Sequence, residues 1–321
     1  MDQIILAFKF LLKHKFKILA FIVISAIFVV VLFPFKDLND YISNTVAKAT
    51  GNRVYLQFED MHINPILTSL TLDQVSVDTS EIENLTIGSL TASPSFQALI
   101  QRQVGGHIKA EDILGGSLDV NMTPAKKSDS GAARVNLSVD GDKISLGNLK
   151  ETFKLSFPIT GTANIKTNVV ADMAFTEQPD GDIQIVINNF NVPSFPIQLP
   201  NMGSINLPEF RFKQIDLKGK LSNGRLNIES AKLGAPTDDL YGTIKGTVNL
   251  SIQNNGGRIA PVFSGYNLTF DLSAKPAFKE RGQLLLLMVD SFKTEEAGLT
   301  RYKFKLAADN MYSPAIPSPI N

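Results

Sequence analysis

The residues that could do covalent chemistry are few. Histidine occurs only at His14, His62 and His107, and cysteine is absent. Disulfides, thiolate metal sites and cysteine nucleophiles are therefore excluded. A zinc site would need His62 and His107 together with carboxylates, and no pair of residues has ligand spacing. His14 lies among lysines, His62 in a strand-like segment and His107 beside Gly105-Gly106. Surface or strand histidines are the simpler reading. No G-x-S-x-G elbow, phosphate-binding loop or H-E-x-x-H motif occurs. Two Asp-Gly-Asp triplets, at residues 140–142 and 180–182, could open calcium loops. They lack the further oxygen ligands and the closing glutamate at fixed spacing, whereas turn chemistry alone calls for these residues. Glu295-Glu296 reads as a solvated loop, and no carboxylate pair points to a glycosidase. The expectation is a protein that is not an enzyme and that uses neither cofactor nor metal.

What positions the chain is more legible. Ile18 to Phe35, ILAFIVISAIFVVVLFPF, carries no charge. As a helix it reaches roughly 27 Å, close to the hydrocarbon thickness of a bilayer, about 30 Å. Ile18, Phe21, Ile24, Ile27, Phe28, Val31, Phe33 and Phe35 are its candidate lipid-facing residues. Lys9, Lys13, Lys15 and Lys17 precede it, and Lys36 is balanced by Asp37 and Asp40 on the far side. The positive-inside rule then puts residues 1–17 in the cytoplasm and the bulk of the chain across a bacterial inner membrane, in the periplasm. No small residues at cleavage-site spacing follow the span, which favours an uncleaved signal anchor. Ile4, Ile5, Phe8, Leu11 and Leu12 fall at helical spacing. The basic leader can lie on the inner leaflet or simply begin the membrane helix.

Formal charge sums to zero, but without the leader the chain carries 27 basic and 30 acidic residues. Bulk charge gives no reason to expect nucleic-acid binding. Residues 36–122 read as a membrane-proximal unit. Asp37 can cap a helix with Leu38, Tyr41, Ile42, Val46 and Ala49 on one face and Gly51 as its stop. The period then changes to two, with Val54, Leu56 and Phe58, then Leu70 and Leu72, then Val75 and Val77. Further short strands follow through Ile82, Leu85, Ile87 and Leu90. A break at Ser93-Pro94 precedes a helical turn, and HIKAEDILGGSLDVNM forms two strands about a Gly115-Gly116 turn.

This order of elements carries a resemblance. A single span ending in FPF, an amphipathic helix, VYLQFEDMHINPILTSLTLDQVSV, NLTIGSLTASPSFQALI and HIKAEDILGGSLDV together resemble the GspN family, the type II secretion system protein N, in its longer form. More distantly the chain is similar to AsmA-like proteins of the bacterial envelope. The resemblance covers about residues 10–250. It implies an accessory component of a type II secretion system, a scaffold or assembly factor whose partners are other secretion subunits. It carries no catalytic motif. The AsmA-like alternative implies lipid handling or outer-membrane biogenesis, with phospholipid held on the apolar face of a curled sheet.

Residues 123–134 are a polar linker of small residues. In the distal region, residues 135–310, Asp140-Gly141 predicts a type I′ hairpin between RVNLSV and DKISL, and residues 179–182 predict a second turn. Strands entered through glycine recur at Gly116, Gly161, Gly224 and Gly242. Val192 to Phe210 carries four prolines, which exclude a central strand and suggest an extended flap or a polyproline-like connection between two β layers. Phe195, Ile197, Leu199 and Leu207 in it would need cover. Phe278, Leu285, Met288, Val289 and Phe292 suit one face of a helix packed on the sheet. A last strand follows, and residues 311–321 read as a flexible tail. The fold expected is mainly β, with one N-terminal transmembrane helix and then a curled antiparallel sheet with a few short helices. Leu226, Ile228, Ile244, Val248 and Leu250 are the positions that would line an open groove.

Overall fold

The period-two segments pair almost strictly in the order in which they occur. A computed structural model of the chain describes residues 16–17, 21, 24–25, 28, 38–64, 67–79, 82, 84–126, 133–172, 175–199, 203–255, 258–296, 298–310 and 316–320. Its body is one 16-stranded sheet whose pairings are antiparallel. At one edge, β1 (Val54–Gln57) and β2 (Asp60–Asn64) lie end to end along β3 (Ser69–Thr79). A meander follows through β4 (Leu85–Pro94), β5 (Gly106–Ile113), β6 (Gly116–Pro124), β7 (Arg134–Ser145), β8 (Thr160–Asp172) and β9 (Asp180–Val192). β10 (Phe195–Leu199) and β11 (Gly203–Leu207) form a separate two-stranded hairpin. β12 (Phe210–Ser222), β13 (Arg225–Leu233), β14 (Leu240–Asn255) and β15 (Arg258–Ala274) resume the sheet. β17 (Leu299–Ala308) pairs with β15. On its far side β16 (Lys293–Glu296) and β18 (Ile316–Ser318) lie end to end.

Short helices pack on one face of this sheet. α1 (Asn39–Ala49) brings Leu38 and Ile42 onto a cluster of Phe58, Met61, Leu72, Val75, Ile87 and Ala110. α2 (Phe96–Ile100) follows β4 and is capped by Ser95, whose Oγ accepts from the Ala98 N–H. α3 (Leu146–Thr152) adds Leu146 to Ile144 and Ala163. α4 (Pro276–Arg281) and α5 (Gln283–Leu287) bring Phe278 and Leu286 onto Phe212, Leu240, Ala274, Tyr302 and Phe304.

Several local expectations are corrected. Asp140-Gly141 makes no hairpin: both residues lie inside β7, where Gly141 is opposite Leu118 on one side and Ile165 on the other. Two flanking ladders outweigh the local turn preference. The local irregularity survives as a bulge, with Lys143 at φ 55° and a register shift between Gly141 and Ile144. The β5–β6 turn is Leu114-Gly115, both at positive φ, rather than Gly115-Gly116. Gly116 begins the strand, where a Cβ would lie 2.3 Å from the Asp142 carbonyl oxygen. Leu38 occupies the cap position of α1 without a side-chain cap, and Asp37 lies outside the described residues. Tyr41 is exposed rather than on the buried face, while Gly51 ends the helix at φ 64° as expected. The helix expected before β16 is broken at Gly282 into α4 and α5, and Met288 points outward. In the tail, Ile316–Ser318 gains backbone partners on β17 instead of fraying. The proline-rich segment does form a flap outside the main sheet, β10–β11.

Among the described residues no helix is long and apolar enough to cross a membrane. The expected span, residues 18–35, lies mostly outside them. Phe21, Ile24, Ser25 and Phe28 are described; they are helical, and Phe21, Ile24 and Phe28 are exposed. Ile18, Ile27, Val31, Phe33, Phe35, Lys9, Lys13 and Lys15 lie outside the described residues, and Lys17 is helical and exposed.

Candidate functional site: the apolar sheet face

Side chains opposite one another in antiparallel strands share a face, and the next residue along each strand points to the other. Following the register across the sheet from Met61 gives Leu72, Leu90 and Ala110. The row continues through Leu118, Gly141, Ile165 and Ile185. It ends through Leu217, Ala231, Ile244, Phe270 and Phe304. Every member is apolar or glycine. At about 4.8 Å per strand the row runs about 58 Å along the sheet.

The parallel rows are of the same kind but for Thr167, whose hydroxyl donates to the Asp182 carbonyl. Two residues away in one direction, Val120, Val139, Thr167, Ile183, Gly219 and Ile228 lie in register. One step further come Met122, Leu137, Val169, Gly181, Leu221, Leu226 and Val248. On the other side stand Ile144, Ala163, Ile187, Ile215, Leu233, Gly242, Leu272 and Tyr302. Rows two residues apart are separated by roughly 6.7 Å along a strand, so these four make a band about 20 Å wide. The opposite face is polar. Its matching row reads Thr71, Thr91, Lys109, Asp119, Asp140, Lys166, Gln184, Lys218 and Ser230.

The band is covered at its ends and, at one side of its middle, by α3 over Ile144 and Ala163, while its central row stays partly open there. Met61, Leu72 and Ala110 are buried on the α1 side, and Phe304 under α4 and α5. Ile165, Ile185 and Leu217, at the middle of the row, are only half-buried. The three core clusters are joined through shared residues: Ile113 packs on the first and second, and Phe190 on the second and third. Two cavities open onto the band. One of about 670 Å³ lies at the α2 end, lined by Ile63, Leu70, Ile108, Val104 and Met122 among others. Another, of about 270 Å³, lies under α5 between Phe210, Phe270, Leu286 and Phe304. Burial there pushes the Tyr302 phenol above its ordinary range.

Charged groups sit on the polar face or at its edges. Lys109 pairs with Glu111 at 2.6 Å; this hydrogen bond raises the lysine and lowers the carboxyl. Arg301 grips Asp271 through Nε and Nη2, each at 2.6 Å, which holds that carboxyl below its ordinary range against the effect of burial. His62 lies 3.2 Å from Asp73 and His107 2.8 Å from Asp119, so both are strand histidines paired with a neighbouring carboxylate. His14 lies outside the described residues. Among the described residues no cluster of histidines and carboxylates could hold a metal ion.

Of the groove positions expected from sequence, Leu226, Ile228, Ile244 and Val248 take their places in these rows, with Ile228 buried and the other three half-buried. Leu250 is shifted by a bulge after Asn249 and pairs with Phe263. Of the larger part of the band, from Met61 to Leu217, the sequence marks Leu72 and Leu90 as strand positions but none as groove lining. Its signal was the alternation of each strand, but only the register places those alternations side by side.

The fold and its apolar band thus define a long, single-layered antiparallel sheet with one greasy and one charged face, helices covering the ends of the greasy one and α3 covering Ile144 and Ala163 at one side of its middle. Comparison with family models, with curated proteins and with solved structures returns no match, so the function is argued from this geometry.

Proposed function

We propose that this protein is a membrane-anchored lipid-handling protein that holds acyl chains on the apolar face of its sheet. The observation that carries the reading is the unbroken cross-strand row from Met61 to Phe304, left open at Ile165, Ile185 and Leu217. An apolar band of this extent facing water is unfavourable, and monomeric proteins rarely expose patches beyond a few hundred Å². Covering it with acyl chains returns about 0.8 kcal/mol for each buried methylene. No polar group interrupts the central row, so a chain could lie anywhere along it without leaving a donor or acceptor unpaired.

The anchor belongs to the same reading. Residues 18–35 would hold the sheet at a bacterial inner membrane with its bulk in the periplasm, and the helical, exposed Phe21, Ile24 and Phe28 suit lipid contact. The secretion-scaffold role that the GspN resemblance implies would recruit subunits through free sheet edges. Those edges are short, four residues each in β1 and β16, and short edge strands are poor templates for strand addition. The open face is the stronger feature. The test is photocrosslinking in reconstituted vesicles with a phospholipid bearing a photoactivatable acyl chain. Adducts concentrated on Ile165, Ile185, Leu217 and their row neighbours support the proposal. Adducts on the Lys166 face, or none outside residues 18–35, overturn it.

A further inference from the structure

We propose that α2 and the adjoining Leu67 form a second membrane contact, an apolar tip that dips into the bilayer surface and sets the cavity at this end of the band against lipid. Phe96, Leu99 and Ile100 lie at i, i+3 and i+4 on one face of α2 and are 67%, 57% and 78% exposed. Leu67, in the β2–β3 turn, is 68% exposed, and Val104, just past α2, is 55% exposed. This is no loose loop. Ala98 is fully buried, and its Cβ would lie 2.7 Å from one built on Gly105. The Ser95 N–H donates to the Gly105 carbonyl at 3.1 Å, and the Gln103 N–H to the Ala98 carbonyl at 2.8 Å. The segment is thus fixed at both ends while it presents four large apolar side chains to its surroundings, Phe96, Leu99, Ile100 and Val104. The cavity of about 670 Å³ opens beside it and shares Val104 with it.

The occupant is the bilayer, for two reasons. First, Asn39 at the start of α1 donates to the Phe58 carbonyl at 2.6 Å, level with the middle of β3. Thr50 at its end meets Val54, opposite Thr79 at the far end of β3. α1 therefore runs away from the β2–β3 turn, with its first residue, Asn39, nearer than its last to the end of the sheet where that turn and α2 lie. Two residues separate Leu38 from the apolar segment that ends at Phe35. Second, residues 63–72 contain no charge, and Arg102, just past α2, is the charged residue of 92–106, since Lys109 and His107 beyond it are paired with Glu111 and Asp119. A tip of large apolar groups with the cation Arg102 beside it suits a phospholipid surface bearing anionic headgroups.

The proposal rests on residues 18–35 being a bilayer anchor, and the experiment separates the two. The chain has no cysteine, so Leu99→Cys, Leu67→Cys and, on the polar face far from the tip, Lys232→Cys can each take one environment-sensitive fluorophore in the full chain. The proteins are reconstituted in vesicles of phosphatidylethanolamine and phosphatidylglycerol. Blue-shifted emission at 99 and 67, quenched by lipids carrying a nitroxide on the acyl chain, with neither effect at 232, is the expected result. Emission at 99 and 67 that matches 232 and escapes quenching overturns the tip. Flotation of the unlabelled chain with vesicles at alkaline pH reads the anchor separately. Lost flotation with quenching kept at 99 sinks the anchor and leaves the tip; kept flotation without quenching does the reverse.

Discussion

The side-chain amide of Gln178 pairs with the backbone of Ile252: Nε2 donates to the Ile252 carbonyl at 2.9 Å, and the Ile252 N–H donates to Oε1 at 2.8 Å. β13 reaches only as far as Arg225, opposite Asn249, so this stretch of β14 has no strand on that side. Gln178 supplies the missing partner and ties the β8–β9 connection across the β12–β13 turn. Gln178→Ala should destabilise the fold by about 1–2 kcal/mol, the net worth of two such bonds. Thermal unfolding would show it, together with faster hydrogen exchange of the Ile252 amide. Gln178→Glu keeps the acceptor and loses the donor, so the Ile252 amide should stay the better protected of the two variants.

The lid over the far end of the band hangs on Phe278. This ring is 1% exposed, lies 5.7 Å from that of Phe210 and carries the Arg281 guanidinium 5.2 Å above it. Phe278→Ala should lower stability by about 3–5 kcal/mol. It should also raise exchange at Leu286 and Val289, whose packing depends on it, before exchange rises at Ile165 or Ile185. Uniform exchange along the whole sheet would contradict a locally hung lid.

Asp271 sets a pH dependence at the same end. Its carboxyl is lowered first by the hydrogen bonds from Arg301, then by the charges of Arg301 and Lys303, with burial working against them. A group depressed in the folded state contributes stability above its unfolded value, near 4, and loses that contribution as pH falls through its folded value. The melting temperature of the protein should therefore drop as the pH falls below about 4. Asp271→Asn should lie below the natural chain at neutral pH and converge with it in acid. Two parallel curves would contradict the assignment.

Much of the fold was legible because each strand advertises itself by alternation. Leu70 with Leu72, or Leu226 with Ile228, reads as one half-buried face without any knowledge of neighbours. The glycines show where this stops. Gly141 looks like half of a hairpin turn, yet it lies between Leu118 and Ile165 in mid-sheet. Gly181 also looks like a turn residue, but a Cβ there would lie 2.1 Å from the Asn168 carbonyl oxygen. The requirement is close approach of a backbone more than ten residues away, which local spacing cannot reveal. The band is the same problem at larger scale. Ile165 and Ile185 each alternate properly in their own strand, but that they meet depends on the β8–β9 register, which runs unbroken from Val170 opposite Asp180 to Thr162 opposite Asn188. The tip was read in part, since Ser93-Pro94 and the following helical turn were visible. The exposure of Phe96, Leu99 and Ile100 depends on Ala98 filling the contact with Gly105 instead.

Lipid stoichiometry of the full chain and of one variant tests the central claim most directly. Ile185 is opposite Ile165 and Leu217 at the open middle of the band, while its neighbour Gln184 faces Lys166 and Lys218 on the polar side. Native mass spectrometry of the detergent-extracted protein should find phospholipid on the natural chain and on Gln184→Asp. On Ile185→Asp, which puts an unpaired charge among acyl chains, it should be reduced about tenfold or more. A natural chain that carries no phospholipid, or an Ile185→Asp variant that carries as much, would contradict the account.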